Sequence, residues 1–173
     1  MGRRTLLFDE DECIGCFACE VACKQEHHIP TGEHWIRILK VGPTRIGARL
    51  RMRFVAVHCR HCGKPPCMSA CPVNAVSRRF DGVVLFDEEV CIGCQACVEA
   101  CPFGVPQVRV EKNTVGACNL CFERTDRGLK PSCVHHCPTR ALTFGDPNDL
   151  ASRRVEEGLE QKGESLTHER RGL

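Results

Sequence analysis

Apolar residues in this chain come in short runs broken by charge. No stretch approaches the roughly 18 apolar residues of a membrane helix, so no segment is expected to span a bilayer. Residues 34–41 set Trp35, Ile36 and Ile38 among charged neighbours, and residues 49–57 alternate as Arg49-Leu50-Arg51-Met52-Arg53-Phe54. A period of two marks half-buried strands, so the two segments read as a hairpin turning at Gly42-Pro43, with its apolar face covering a buried site. A second hairpin is predicted over residues 76–86 around Asp81-Gly82, and a third over residues 107–115 around Lys112-Asn113. After Phe144-Gly145 the pattern changes. Asp146-Pro147 starts a docking helix through Gln161, with Leu150, Val155 and Leu159 as a sparse apolar stripe, and the polar tail beyond Gly163 is expected to be mobile or ordered by a partner.

Between these elements the chain is rich in cysteine. Sixteen cysteines among 173 residues mean that something other than apolar burial must carry much of the stability. They fall into four groups of four with none left over. The first is Cys13, Cys16, Cys19 and Cys23; the second is Cys59, Cys62, Cys67 and Cys71; the third is Cys91, Cys94, Cys97 and Cys101; the fourth is Cys118, Cys121, Cys133 and Cys137. Residues 7–23 laid on residues 85–101, an offset of 78, match at 12 of 17 positions through Leu-Phe-Asp-Glu and Cys-Ile-Gly-Cys-x-Ala-Cys-x-x-Ala-Cys. Groups two and four echo each other more loosely, so each group is a small metal-binding unit of similar build. The spacing leaves room for a helix of one turn between the last two cysteines of each group. Proline ends that helix in groups two, three and four (Pro72, Pro102, Pro138), whereas group one has Lys24.

Three chemistries take cysteines in fours. A disulfide-stapled secreted fold would need a signal peptide, and residues 1–10 hold only a short apolar run before acids begin. Arg3-Arg4 lacks the apolar region and cleavage site of a twin-arginine signal, so any export is expected to occur bound to a signal-bearing partner. Structural zinc takes two separated Cys-x2-Cys knuckles, which fits group four in isolation but not groups one and three. Those groups place three cysteines within seven residues, a loop able to wrap three corners of a cubane with backbone amides near Gly15 and Gly93 free to bond sulfur. The fourth cysteine lies a helical turn further on, and in two-cluster ferredoxins that residue ligates the other cluster. Spacing therefore points to iron-sulfur clusters.

The formal charge of +2 treats the thiols as neutral, and four oxidised 4Fe-4S cores on thiolates would bring it to roughly −6. The 18 arginines and 6 lysines are scattered among 22 acids, which is no nucleic-acid footprint. Arginine suits fixed bonding to carboxylates or compensation of cluster charge, and a base-composition bias would leave the same count. No G-x-G-x-x-G loop, nucleophile or general base stands out, so the chain is expected to pass electrons without transforming a substrate.

The four-group order, the run Cys59-Arg60-His61-Cys62-Gly63-Lys64-Pro65-Pro66-Cys67, the long gap in group four and Leu142-Thr143-Phe144-Gly145-Asp146 carry a family resemblance over residues 3–155. The chain resembles the four-cluster ferredoxin-like electron-transfer subunits of molybdenum and tungsten oxidoreductases, such as dimethyl sulfoxide reductase and formate dehydrogenase. Similar small subunits serve carbon monoxide dehydrogenases and hydrogenases. The resemblance implies an α+β fold of two ferredoxin-like halves with short β-hairpins and one-turn helices, stabilised by clusters, plus a C-terminal helix. Residues 1–57 and 111–145 would form half A, residues 58–110 the inserted half B, and residues 146–173 the docking helix and tail. It further implies that ligands are exchanged within each half. Cys13, Cys16 and Cys19 would bind one cluster with Cys137, and Cys118, Cys121 and Cys133 another with Cys23. Cys59, Cys62 and Cys67 would pair with Cys101, and Cys91, Cys94 and Cys97 with Cys71. Some relatives carry tryptophan in group three and hold a 3Fe-4S centre there; this chain keeps Cys94, so four 4Fe-4S clusters are expected.

The implied role is to relay single electrons between a catalytic molybdenum or tungsten pterin subunit, a formate or aldehyde oxidoreductase for example, and a second redox subunit or carrier. The setting would be a hetero-oligomer in an anaerobic cytoplasm, or a periplasm reached by co-export. The rivals are a freestanding polyferredoxin, a subunit of a carbon monoxide dehydrogenase or hydrogenase, and a zinc-bound structural or nucleic-acid protein. Three sets of histidines stay open. His61 either hydrogen-bonds near a cluster or packs in its loop, His135 and His136 could replace thiolates as in Rieske centres, and His27-His28 reads as a solvated helix end.

Overall fold

In the computed structural model, which describes residues 2–161 and only the backbone of 156–161, every sheet has two strands. In chain order the elements are β1 (Thr5–Phe8), α1 (Ala18–His27), β2 (Ile36–Ile46), β3 (Arg49–His58), α2 (Pro66–Ser69), β4 (Val76–Arg78), β5 (Val84–Phe86), α3 (Ala96–Glu99), β6 (Gln107–Arg109), β7 (Thr114–Gly116), α4 (Phe122–Thr125), α5 (Ser132–His135), β8 (Leu142–Gly145) and α6 (Pro147–Gln161). All four pairings are antiparallel. Three are hairpins, while β1 pairs with β8, Thr5 opposite Gly145 and Phe8 opposite Leu142, and so joins distant parts of the chain.

The sequence repeat carries through to hydrogen bonding. Asp9 N–H donates to the Ala141 carbonyl and Asp87 N–H to the Ala75 carbonyl, each at 2.8 Å. Asp11 N–H and Glu89 N–H donate to the Asp9 and Asp87 carboxylates at 3.0 and 2.9 Å. The strand β1 therefore stands to β8 as β5 stands to β4.

Two expectations are corrected. The chain turns at Gly47-Ala48 rather than Gly42-Pro43, which lies inside β2 where the pairing shifts register between Val41 and Thr44. A two-stranded ribbon has an open edge on each strand, so the missing proline N–H can face outward and the extra residues form a bulge. Gly47, at φ +60°, supplies the left-handed first position of a two-residue loop. The second correction concerns group one, whose helix α1 runs for 10 residues. With Lys24 in place of proline nothing stops it at Cys23, and it ends only at His28, at φ +49°. The Lys24 ammonium donates to the Pro30 carbonyl at 2.8 Å and to the Glu33 carbonyl, fastening the exit loop. Helices α2, α3 and α5 have one turn each, as spacing requires.

Two apolar clusters form the core, and cysteines belong to both. One gathers Leu6, Ile29, Trp35, Ile36, Ile38, Leu120 and Leu142 around Cys19, Cys23 and Cys133; the other gathers Val76, Val84 and Val115 around Cys67 and Cys97. A buried charge ties distant segments together. The Asp81 carboxylate, fully enclosed, meets Arg4 Nε at 3.4 Å and Arg79 Nη2 at 3.2 Å, and Arg4 N–H donates to the Asp81 carbonyl at 3.0 Å. The same two guanidiniums reach the half-exposed Asp126 carboxylate, at the end of α4, at 2.7 and 2.9 Å.

Helix α6 begins with Pro147 in its first turn, and the Asp146 carboxylate caps it by accepting from Asn148 N–H at 2.9 Å. Leu150 is buried against Gly145 of β8, while Val155 is 60 % exposed. The Leu159 side chain and the tail beyond Gly163 lie outside the described residues.

Candidate metal centres

Three groups of cysteines each rim an open cavity. Cys13, Cys16, Cys19 and Cys137 line one, walled by Phe8, Phe17, Ile38 and Leu142. Cys59, Cys62, Cys67 and Cys101 line a second, and Cys71, Cys91, Cys94 and Cys97 a third. The remaining four, Cys23, Cys118, Cys121 and Cys133, gather in the interior, where the charges of Cys118 and Cys121 bear on Cys23 and those of Cys121 and Cys23 on Cys133.

Local backbone shape explains how three cysteines face one point. In the Cys13 loop Gly15 and Phe17 take φ +66° and +60°, and in the Cys91 loop Gly93 and Gln95 take φ +68° and +64°. Two left-handed residues so close together fold the chain back on itself, and glycine takes the first at no steric cost. Gly93 also has no room to grow: a Cβ there would lie 2.4 Å from the Asn113 carbonyl oxygen. Gly93→Ala is therefore expected to lower stability by roughly 1–3 kcal/mol, read as an earlier midpoint of anaerobic cluster bleaching in denaturant. A midpoint equal to the parent's would show that the loop relaxes freely.

The residues fit a polynuclear metal cluster. All 16 cysteines are free of disulfides. Burial pushes the Cys19 and Cys59 thiols up to about 12 and Cys97 to about 11, with Cys23, Cys118 and Cys133 raised further. Thiolates in such surroundings require positive charge in the cavity. Among the described residues no three Cys, His, Asp or Glu side chains converge closely enough to hold a single metal ion. Four sulfurs spread around the rim of one opening suit a cluster of several irons rather than a zinc ion bound at about 2.3 Å by four sulfurs. Of the sixteen, Cys16 and Cys94 alone are exposed, and they occupy equivalent positions in the repeat.

The histidines separate. His61 is buried and its Nδ1 accepts from Val84 N–H at 2.9 Å, which fixes the neutral tautomer, and burial holds it down to about 4. It fastens the Cys59 loop to β5. His135 and His136 are exposed, and the His136 ring donates to the Ser132 carbonyl at 2.9 Å. His27 is no solvated helix end: its ring packs on Trp35, with centroids 4.8 Å apart, and its Nε2 lies 3.2 Å from Cys121 Sγ. Sequence reading missed this contact, although Lys24 was the signal, because a helix that continues past Cys23 puts residue 27 on the same face as that cysteine.

An α+β frame of short hairpins closed around cysteine-rimmed cavities defines an iron-sulfur protein. The chain matches a 4Fe-4S dicluster domain over residues 50–147 and a second 4Fe-4S dicluster domain over residues 12–75, and it belongs to that family. It is 42 % identical to a thiosulfate reductase electron transfer subunit of Salmonella typhi, with 81 % of this chain and 74 % of the relative covered. It is 37 % identical to the B subunit of the polysulfide reductase of Wolinella succinogenes, covering 86 % and 78 %. It is 36 % identical to the B subunit of an anaerobic dimethyl sulfoxide reductase of Escherichia coli, covering 84 % and 74 %. The chain spans between 66 % and 78 % of the length of such curated relatives. Two dicluster domains and 16 cysteines correspond to four 4Fe-4S clusters, and the chain is an electron-transfer subunit rather than a catalytic one. No helix among the described residues is long and apolar enough to cross a membrane.

Proposed function

We propose that this chain is the linear electron relay of a molybdenum or tungsten oxidoreductase, with one end docked on the catalytic subunit and the other on a second redox subunit. The observation that carries the proposal is the order of the cysteine sets. Cys19 is packed in one buried cluster with Cys23 and Cys133, Cys67 and Cys97 are packed together in the other, and Cys59 bears on Cys118 between them. Four sets thus follow one another, and the two exposed cysteines, Cys16 and Cys94, belong to the first and the last. In this reading Cys13, Cys16, Cys19 and Cys137 hold the first cluster, Cys118, Cys121, Cys133 and Cys23 the second, Cys59, Cys62, Cys67 and Cys101 the third, and Cys91, Cys94, Cys97 and Cys71 the last. Residues 58–110 form a ferredoxin-like half inserted into another made of residues 1–57 and 111–145, and the segment from residue 146 serves in docking. Each 4Fe-4S cluster supplies a one-electron carrier. The chain's part is to hold the thiolates, exclude water with Ile38, Val76, Val84 and Val115, and leave Ile14 and Ile92 at the two open edges.

A fixed subunit is favoured over a diffusing carrier by the hairpin of β2 and β3. It projects Leu39, Val41, Ile46, Leu50 and Met52, each more than 40 % exposed, among Arg45, Arg49, Arg51 and Arg53. Apolar area interleaved with arginine is the make-up of a partner-binding surface. Relatives named for dimethyl sulfoxide, thiosulfate and polysulfide reductases support a molybdenum enzyme as that partner. The complex would work in the cytoplasm, or in the periplasm after co-export with a signal-bearing partner.

Iron and acid-labile sulfide on anaerobically purified protein test the relay. About 16 of each per chain, with interacting paramagnetic signals after reduction, are expected. Zinc near four per chain without sulfide would overturn it. Co-purification of a pterin-containing chain, lost when Leu50 and Met52 are changed to serine, tests the docking surface.

A further inference from the structure

Helix α1 carries Cys23 and His27 one turn apart, and the imidazole lies against Cys121, a residue from the opposite side of the same cysteine set. We propose that His27 sets the potential of the cluster held by Cys118, Cys121, Cys133 and Cys23, by donating its Nε2–H to the Cys121 sulfur. The proposal rests on the ligand assignment given for the relay.

The distance of 3.2 Å is within hydrogen-bonding range for sulfur. A metal-bound thiolate has no proton and can only accept, so the bond places the ring hydrogen on Nε2 and requires no change of protonation state. The ring is held in place from two sides. Trp35 packs on it at a tilt of 35°, and Trp35 in turn leans on Gly116, where a Cβ would come within 2.9 Å of the indole. Its neighbour Glu26 pairs with Arg124 at 3.1 Å, and Arg124 lies in α4, which starts directly after Cys121. Donor and acceptor are therefore carried on elements tied to each other by a separate ion pair.

An N–H directed at a ligand sulfur withdraws electron density from it. The reduced cluster carries one more negative charge than the oxidised one, so the donor stabilises the reduced state more and raises the potential. Among the described residues His27 is the one histidine whose ring nitrogen lies within hydrogen-bonding distance of a cysteine sulfur. The effect should thus fall on one cluster of the four. Loop packing alone would predict something different: replacing the imidazole by another flat ring that stacks on Trp35 would leave all potentials unchanged.

The test is a redox titration of the full chain, followed by electron paramagnetic resonance, with His27→Phe beside the parent. His27→Phe keeps a ring against Trp35 and removes the N–H. One midpoint of the four is expected to fall by about tenfold in its reduction equilibrium, about 59 mV for one electron, with the other three unmoved. In parent protein labelled with ¹⁵N-histidine, pulsed resonance is expected to show one imidazole nitrogen coupled to one reduced cluster, and His27→Phe is expected to lose that coupling. If His27→Phe does not assemble four clusters, the coupling in the parent decides by itself: its presence supports the bond and its absence overturns it. Four unchanged midpoints in a fully loaded His27→Phe would overturn the role of His27 while leaving the relay standing. Cys121→Ala retaining all four 4Fe-4S clusters would instead overturn the ligand assignment, and the His27 role with it.

Discussion

A chain with Cys13→Ala and Cys137→Ala together is expected to keep three intact clusters, whereas one with Cys13→Ala and Cys23→Ala together is expected to keep two. By sequence the opposite looks natural, because Cys13 and Cys23 belong to one group and Cys137 lies far along the chain. In the structure Cys137 lines the cavity of Cys13, Cys16 and Cys19, and Cys23, buried on α1, turns toward Cys118 and Cys121. Two substitutions at one cluster cannot cost more than that cluster, while substitutions at two clusters add. Anaerobic iron content near 12 per chain for the first pair and near 8 for the second, about four iron for each cluster lost, would match exchanged ligands. The reverse ranking, checked by counting reduced-state resonance signals in case a damaged site retains part of its iron, would show that each group closes on itself.

Asp81→Asn is expected to cost roughly 3–5 kcal/mol. The carboxylate is fully enclosed and holds Arg4 and Arg79, which are 13 % and 20 % exposed. Removing its charge leaves two poorly solvated guanidiniums facing a neutral amide. Asp126 contacts the same arginines but is 39 % exposed, and water screens it, so Asp126→Asn is expected to cost far less than Asp81→Asn. Cluster loss makes unfolding irreversible, so the comparison is the denaturant midpoint of anaerobic bleaching for the two variants side by side. Equal midpoints would mean that Asp81 is not the point at which the start of β1, the β4–β5 turn and the end of α4 are joined.

The cysteines that line the three openings were legible in the sequence because each carries its chemistry in its own side chain, and because three cysteines in seven residues constrain their loop whatever surrounds it. The turns at Asp81-Gly82 and Lys112-Asn113 were legible for a similar reason: Gly82 takes φ +88° and Asn113 φ +50°, and few residues tolerate that region. Gly42-Pro43 misled because the same two residues serve a turn or a bulge, and the choice depends on which strand lies opposite. The four-residue strands β1 and β8 left no signal, since each is too short to show a period and neither has a turn linking it to its partner. Leu6 and Leu142, both buried, acquire their meaning only from each other.

By itself the sequence determined the cofactor class, the number of clusters, the repeat, and the departure at Lys24, because identity and local spacing over a few residues decide what can bind metal and where a helix must stop. Tertiary structure alone decided that α1 continues far enough to lay His27 on Cys121, that Asp81 becomes a buried anchor for two arginines, and that Cys16 and Cys94 are the cysteines left facing solvent. Those outcomes depend on the free energy of bringing together segments far apart in the chain, and a contact of that kind leaves no periodic mark on either segment.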